Sequence, residues 1–284
     1  MTLLKTLAAV SLLLLAGCAL RADVRPVSIP GTAAILSRLE SRKFPDSFRS
    51  IVLVEADAPG DEGVMSPLRD VLTEAGESYV GKAVLLWRRP ASLRMEFLSP
   101  FGSPVFVVAA GRGNLTALSI SRGVYYTGPA DTETMAKWLG LPVSPRLMVR
   151  ILGGELPAVN GEAPGGARSR WDKETRLIRL DLPPGAGLGR RQAAFLEPVR
   201  LEPRRVLIGE AGAAIEVRYG PFTGHESGRR PSWAELRDRR RGRRLRVHMT
   251  EKSASPGEAI PPELFELPIP PGARVIPMFP GVGR

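Results

Sequence analysis

The chain has 284 residues, 43% of them hydrophobic, enough to bury a sizeable core in one large domain or in a domain with appendages. Lysine and arginine number 40 against 29 aspartates and glutamates, a formal +11 that suits anionic partners such as anionic lipid, nucleic acid or acidic polysaccharide. A single cysteine excludes an intramolecular disulfide.

The N-terminal residues address the compartment. Lys5 gives a short positive segment, and residues 7–15 form an apolar run too short to span a bilayer as a mature helix. The run ends Leu15-Ala16-Gly17-Cys18, and these small residues leading to the lone cysteine resemble a bacterial lipoprotein lipobox. The resemblance implies that residues 1–17 are a signal peptide and that Cys18 becomes the mature N-terminus. It would carry a diacylglyceryl thioether and an amide-linked chain such as palmitate. More than one acyl chain makes such an anchor stable, at about 0.8 kcal/mol per buried methylene. The alternative is an ordinary secretory signal with an incidental cysteine. Ala19 is not the aspartate that signals inner-membrane retention in enterobacterial lipoproteins, so the expected location is the outer membrane, facing the periplasm.

Residues 18–30 are polar with two prolines and read as a lipidated tether. Residues 31–44 carry Ile35, Leu36 and Leu39 at helical spacing and stop before Pro45. Residues 50–56 read as a strand, and residues 59–76 as a connection with a turn of helix at 68–72. Residues 79–88 form a second strand containing Val84, Leu85, Leu86 and Trp87. Residues 93–98 alternate apolar and polar, break at Ser99-Pro100-Phe101-Gly102, and are followed by Val105-Phe106-Val107-Val108. Pro100 fixes φ and Gly102 accepts a positive φ, which leaves Phe101 at the tip of a turn. Turn tips lie at the surface, so Phe101 is either folded back onto the core or exposed for a reason. Residues 115–119 and 124–127 are further short strands, joined by Gly111-Arg112-Gly113-Asn114 and Arg122-Gly123. Connections this short make an antiparallel meander.

Two helices follow, at 131–139 and 144–152. Thr132, Met135, Ala136 and Leu139 make the stripe of the first, with Asp131 as N-cap. Ser144 caps the second, Pro145 opens it, and Leu147, Met148, Ile151 and Leu152 face a core before Gly153-Gly154 stops it. Strands return at 169–171, 177–182, 199–202, 205–208 and 214–219. The glycines at 185–189 lack the spacing and the strand-to-helix setting of a nucleotide loop. Residues 232–237 and 245–249 read as a hairpin whose turn carries Arg239, Arg240, Arg241, Arg243 and Arg244. The tail from Ser255 is proline-rich and reads as extended packed chain.

Catalytic motifs are absent from the sequence, and no cofactor is implied. His225 and His248 lack metal-ligand spacing, and no nucleophile elbow, phosphate loop or paired carboxylates occur. A non-enzymatic protein is the expectation. The arginine run is either a solvated hairpin tip or a contact for anionic headgroups, each basic residue adding about 1 kcal/mol near a membrane. Nucleic acid is excluded by export and by the missing interleaved aromatics. Leu86, Leu93, Met95, Phe97, Val105, Val107, Met135, Trp138, Met148 and Ile151 form an apolar set, either a filled core or the pliable wall of an acyl-chain cavity.

The run 87–156 resembles the LolB family of outer-membrane lipoprotein receptors. The matching features are the strand ending in Trp87, the alternating strand closing on Ser99-Pro100-Phe101-Gly102, and the apolar strand after it. A tyrosine strand, an acidic helix start, Gly140-Leu141-Pro142-Val143 and the helix ending Ile151-Leu152-Gly153-Gly154 complete the series. The resemblance implies an α+β fold, an antiparallel β half-barrel whose concave apolar face is covered by helices, shared with the carrier LolA. It implies that residues 31–254 are that domain and 255–284 an extension. It further implies that acyl chains of lipoproteins or lipids are bound and helped into the membrane, with a periplasmic carrier as a possible partner. In the family the turn reads Asn-Pro-Leu-Gly and its leucine meets the membrane, which gives that role to Phe101. Leu86, Met95, Phe97, Val105, Val107, Trp138, Met148 and Ile151 are the cavity candidates. The longer second half, the arginine hairpin and the proline-rich tail set the chain apart from LolB itself. The rival expectation is a membrane-anchored scaffold with a filled core, docking an anionic partner through the arginine hairpin.

Overall fold

A computed structural model describes residues 28–57, 78–138, 140–156, 165–184, 190–209, 215–224, 228–249 and 255–278, without the side chains of Trp138 and Pro256. Cys18, the tether up to residue 27, the connection at 59–76, the glycine loop at 185–189, Leu139 and His225 lie outside these residues.

Helix α1 (Thr32–Glu40) leads into β1 (Ser47–Asp57), β2 (Ser78–Arg88), β3 (Ser92–Leu98), β4 (Pro104–Gly111), β5 (Asn114–Ser119) and β6 (Val124–Pro129). Two helices interrupt the strands, α2 (Thr132–Trp138) and α3 (Pro145–Leu152). The second series is β7 (Arg168–Asp172), β8 (Leu177–Leu182), β9 (Gln192–Leu196), β10 (Pro203–Ile208), β11 (Ile215–Tyr219), β14 (Trp233–Asp238) and β15 (Arg243–Met249). Between β11 and β14 lies a two-stranded ribbon, β12 (Phe222–Thr223) with β13 (Arg230–Pro231). The C-terminal residues add β16 (Ser255–Pro256), a 3-10 turn at Pro262–Phe265, and β17 (Arg274–Pro277).

One open sheet holds all strands except the ribbon, in the order 17-6-5-4-3-2-1-15-14-11-10-9-8-7, with β16 on the side of β1. Every pairing is antiparallel except β17 with β6. Within each series, successive strands of the sheet lie side by side and antiparallel, as in a meander. The seam that joins them is the long-range pair β1–β15, in which Val54 opposes Val247 and Glu55 opposes Arg246.

The turns follow their glycines. Arg112 and Gly113 take φ 47° and 82° in the β4–β5 turn, the positive-φ pair that matches strand twist. Asp131 Oδ1 accepts from Thr134 N at 2.7 Å and Ser144 Oγ from Leu147 N at 3.3 Å, so both expected helix caps form. Met135 is buried on α2, whereas Thr132 is exposed rather than part of the apolar stripe. Residues 199–202, expected as a strand, are a turn: Glu197 accepts from Val199 N and Arg200 N at 2.9 and 2.7 Å. The strand is Gln192–Leu196, all five residues buried, with few of the β-branched residues that mark a strand in sequence. Phe195 is covered by the guanidinium groups of Arg179 and Arg205, 5.7 and 5.4 Å from its ring centre.

The inner face of the sheet and the three helices share one apolar cluster. It takes in Ile35, Val54, Trp87, Phe106, Met135, Met148, Ile151, Leu180, Val217 and Val247. The tail crosses the outer face as extended chain. Ile260 and Phe265 close over Leu86, while Leu267 lies against Val107, Ala109 and Tyr125.

Candidate functional site

Four of the eight cavity candidates lie together on the inner face: Met95, Phe97, Met148 and Ile151. Val105 is half-buried at the margin of that cluster. Leu86 and Val107 belong to the opposite face, beneath the tail. Consecutive apolar residues hide strand parity, and a residue one place along points the other way. In β2 the inner residues are Ala83, Leu85 and Trp87; in β4 they are Phe106, Val108 and Ala110. The side chain of Trp138 is not described. On the inner face Met95 is 8% exposed and Ile151 is fully buried.

Phe101 stands clear of this core, 95% exposed. Its turn is closed beneath it: Gly102 N donates to Ser99 O at 2.9 Å, and Ser103 N to Ser99 Oγ at 3.2 Å. Gly102 has φ 85°, a conformation that a side chain resists. Beside it, Ile120 N donates to Val105 O at 3.1 Å, and the Ile120 side chain is also exposed.

Register carries the arginine hairpin to the same end of the sheet. Phe97 pairs with Ala83 near the start of β2, Ser78 pairs with Asp57, and Asp57 pairs with Arg244 at the start of β15. The β14–β15 turn is held by Asp238 Oδ1, which accepts from Arg240 N and Arg241 N at 2.9 and 3.2 Å. Arg239 is exposed, its Nε 3.8 Å from Glu216 Oε2. Arg240 and Arg241 are exposed as well.

Arg243 and Arg244, read from sequence as headgroup contacts, turn into the protein instead. Arg243 has inward strand parity and is buried, its side chain filling the space beside Gly140, where an added Cβ would stand 2.7 Å from Cδ. Arg244 Nε donates to Asp57 Oδ2 at 2.6 Å, with Glu55 at 3.4 Å and Glu235 at 3.7 Å. The bond to Asp57 raises the Arg244 pKa above its ordinary value. A strand embeds its own charges when cross-strand partners await them.

A buried charge cluster at the other end escaped the sequence reading. The Glu155 carboxylate lies against Arg89, and Arg150 Nε is 3.4 Å from its second oxygen. Arg150 Nη2 donates to Leu156 O at 2.6 Å and Tyr219 Oη to Glu155 O at 3.5 Å. Burial raises the Tyr219 phenol and lowers the Arg150 guanidinium. The cluster ties the β2–β3 turn to the end of α3 and to β11, three segments far apart in sequence, so no local motif announces it.

His248 Nε2 is 2.8 Å from Glu55 Oε1, a pairing within the outer-face ladder. Among the described residues no group of three or more His, Cys, Asp or Glu is placed to hold a metal ion. Among the same residues no helix is long and apolar enough to cross a membrane.

No protein-family model matches the sequence, and no curated protein matches it. Solved structures do match. A domain described as an outer membrane lipoprotein-sorting protein from Vibrio parahaemolyticus superposes with TM-score 0.51 at 9% identity, covering 83% of this chain and 95% of its own. A DUF1329 family protein from Desulfovibrio piger gives 0.50 at 10%, covering 84% and 98%. A LolA superfamily protein from Nitrosomonas europaea gives 0.47 at 12%, with the same coverages of 84% and 98%. The likeness to the first two is one of fold: a mostly-β chain built on a large open sheet.

Proposed function

We propose that this chain is a lipid-anchored envelope protein that takes acyl chains of lipoproteins or lipids against its inner apolar face and helps pass them into a membrane. In this reading residues 1–17 are removed, Cys18 is acylated, and residues 18–30 tether a half-barrel whose concave face is covered by α2 and α3. Residues 255–284 extend that domain. The expected site is the periplasmic side of the outer membrane, with a periplasmic carrier handing over the cargo and no catalytic step.

One observation carries the reading. Phe101, 95% exposed, projects from the same end of the sheet as Arg239, Arg240 and Arg241. An exposed aromatic and guanidinium groups at one end of a sheet suit a membrane surface: the ring enters the acyl boundary and the cations meet anionic headgroups. The fold shared with a domain described as lipoprotein-sorting supports the cargo. Release and uptake need only apolar area and a route out, so the lack of a nucleophile pattern is consistent with it.

The test is vesicle binding and lipid transfer by the purified protein. Phe101→Glu is expected to lower both by about tenfold or more while leaving thermal stability unchanged. Equal transfer by Phe101→Glu would falsify the insertion role.

A second reading is favoured by the closed inner face, where Met95, Phe97, Met148 and Ile151 are at most 8% exposed. It is a membrane-anchored scaffold with a filled core, docking an anionic partner through the hairpin. Mass spectrometry of the native purified protein separates the two: co-purifying lipid supports cargo binding, and lipid-free protein supports the scaffold.

A further inference from the structure

At the end of the sheet away from Phe101, the β9–β10 turn and the β12–β13 ribbon flank an open cleft of about 440 Å³. It is lined by Arg200, Arg204 and Arg229 together with Pro221 and Phe222. The end of α1 brings two more guanidinium groups to the rim. Arg38 Nη2 donates to Val199 O at 3.1 Å, and Arg42 Nη2 to Arg200 O at 2.7 Å.

The described carboxylates here are two, and both are engaged. Glu197 caps the turn through Val199 N and Arg200 N. Glu202, nearly fully buried, takes Arg229 Nε at 2.8 Å and lies 3.8 Å from Arg204. The guanidinium groups are otherwise oriented by backbone carbonyls: Arg204 donates to Gly220 O at 3.1 Å, Arg229 to Phe222 O at 2.7 Å and to Gly224 O at 3.3 Å. Carbonyls fix a fork without neutralising it, so three positive charges remain in excess among the described side chains. Burial lowers the pKa of Arg42; the Glu202 carboxylate opposes that shift, and the like charges of Arg229 and Arg38 add to it. An anion in the cleft would relieve that penalty.

We propose that this cleft is a binding site for a phosphoryl oxyanion, held by Arg42, Arg200, Arg204 and Arg229. A planar fork meets two oxygens of a phosphoryl group at once, which favours this chemistry over a single-point anion. Neighbouring guanidinium groups that share one dianion satisfy donors that the two carboxylates leave over. The strands that separate the two ends are up to eleven residues long, about 35 Å. The cleft is therefore independent of the Phe101 edge and of the function proposed for it.

The source of the phosphoryl group is either soluble or a lipid headgroup, and two probes divide them. The first is calorimetric titration of the full chain with inorganic phosphate. The second is flotation with phosphatidylcholine vesicles with and without phosphatidic acid, in the Phe101→Glu background so that edge contact does not contribute. Arg42→Gln with Arg200→Gln is expected to weaken the responding probe by about tenfold or more. Arg200→Glu, at an exposed position, gives the same direction without touching the ion pairs of Glu202. Response to phosphate alone assigns a soluble ligand, and response only to phosphatidic acid assigns a headgroup. Absence of both responses, or variants that bind like the parent chain, overturns the site.

Discussion

Across β2 to β6 the outer face is closed by apolar contact with residues 255–278, whereas across β15 to β8 it is closed by ion pairs among its own side chains. In the first region Phe265 is 2% exposed between Leu86 and the guanidinium of Arg88. In the second, Glu55, Glu235 and Glu216 alternate with arginines strand by strand. Glu235 is fully buried, with Arg246 Nη2 at 2.5 Å and Arg237 Nε at 2.7 Å. Glu216 lies 2.7 Å from Arg205 and 2.9 Å from Arg218. The lesson is about tolerance. Apolar covering is non-directional and needs only area. A charge ladder needs register, because each buried carboxylate must meet its cross-strand partners or stand desolvated and alone.

The largest break in this comparison comes from the strap. Phe265→Ala should cost about 3 kcal/mol in urea unfolding, by lost transfer energy and the cavity left over Leu86. A loss under about 1 kcal/mol would show that the strap is decoration on an already stable sheet.

Next is the ladder. Glu235→Gln should cost about 2 kcal/mol, less than a fully buried pair because its arginine partners are 24–40% exposed. Molar salt should shrink that loss and leave the Phe265→Ala loss intact. Equal salt sensitivity of the two would erase the distinction.

Acid sharpens the same contrast. Burial pushes the Glu216 carboxyl up, but Arg218 and Arg205 outweigh it and hold it below the usual carboxylate range. A carboxylate with a depressed folded pKa stabilises above its unfolded value of about 4.3 and loses that contribution as pH falls through the folded value. The parent chain should therefore lose stability from about pH 5 downwards more steeply than Glu216→Gln. Parallel stability curves for the two chains would count against the ladder as an electrostatic device.

The smallest effect belongs to neither region. Phe101→Ser should change unfolding stability by less than about 0.5 kcal/mol, since the ring touches no core, yet reduce vesicle binding. A large stability loss would mean that the ring folds back onto the sheet in solution.

Much of the fold was legible because its signals are local. The alternation at 93–98 became β3, Gly102 and Gly113 made their turns, and Asp131 and Ser144 capped their helices. The hairpin at β14–β15 formed in the expected place, and Phe101 stood at a turn tip. The errors were equally physical. Ala193 and Ala194 carry no β-branched mark, so the sequence does not announce β9, while Val199, which reads as strand, lies in a turn. The arginine run looked uniform, yet parity sent Arg243 inward and Arg244 into the ladder, leaving Arg239, Arg240 and Arg241 at the surface. The buried Glu155 and the arginine cleft draw their members from α1, the turns of the second series and the ribbon, at separations that no spacing rule reads.

Sequence alone determined most of the elements, the turns and the place of Phe101 at a turn tip, because each depends on residues a few places apart and on backbone preferences they carry themselves; that Phe101 is exposed rather than folded back is a tertiary outcome. Tertiary structure decided the rest: which parity of β2 and β4 faces the helices, that β15 rather than another strand joins β1, and that the tail covers the outer face. Those outcomes depend on what lies across a strand or a sheet, and a side chain's partner there is set by register between segments as much as two hundred residues apart. The same physics explains why Phe101 could be placed from its four-residue turn, while its alignment with the arginine hairpin could not.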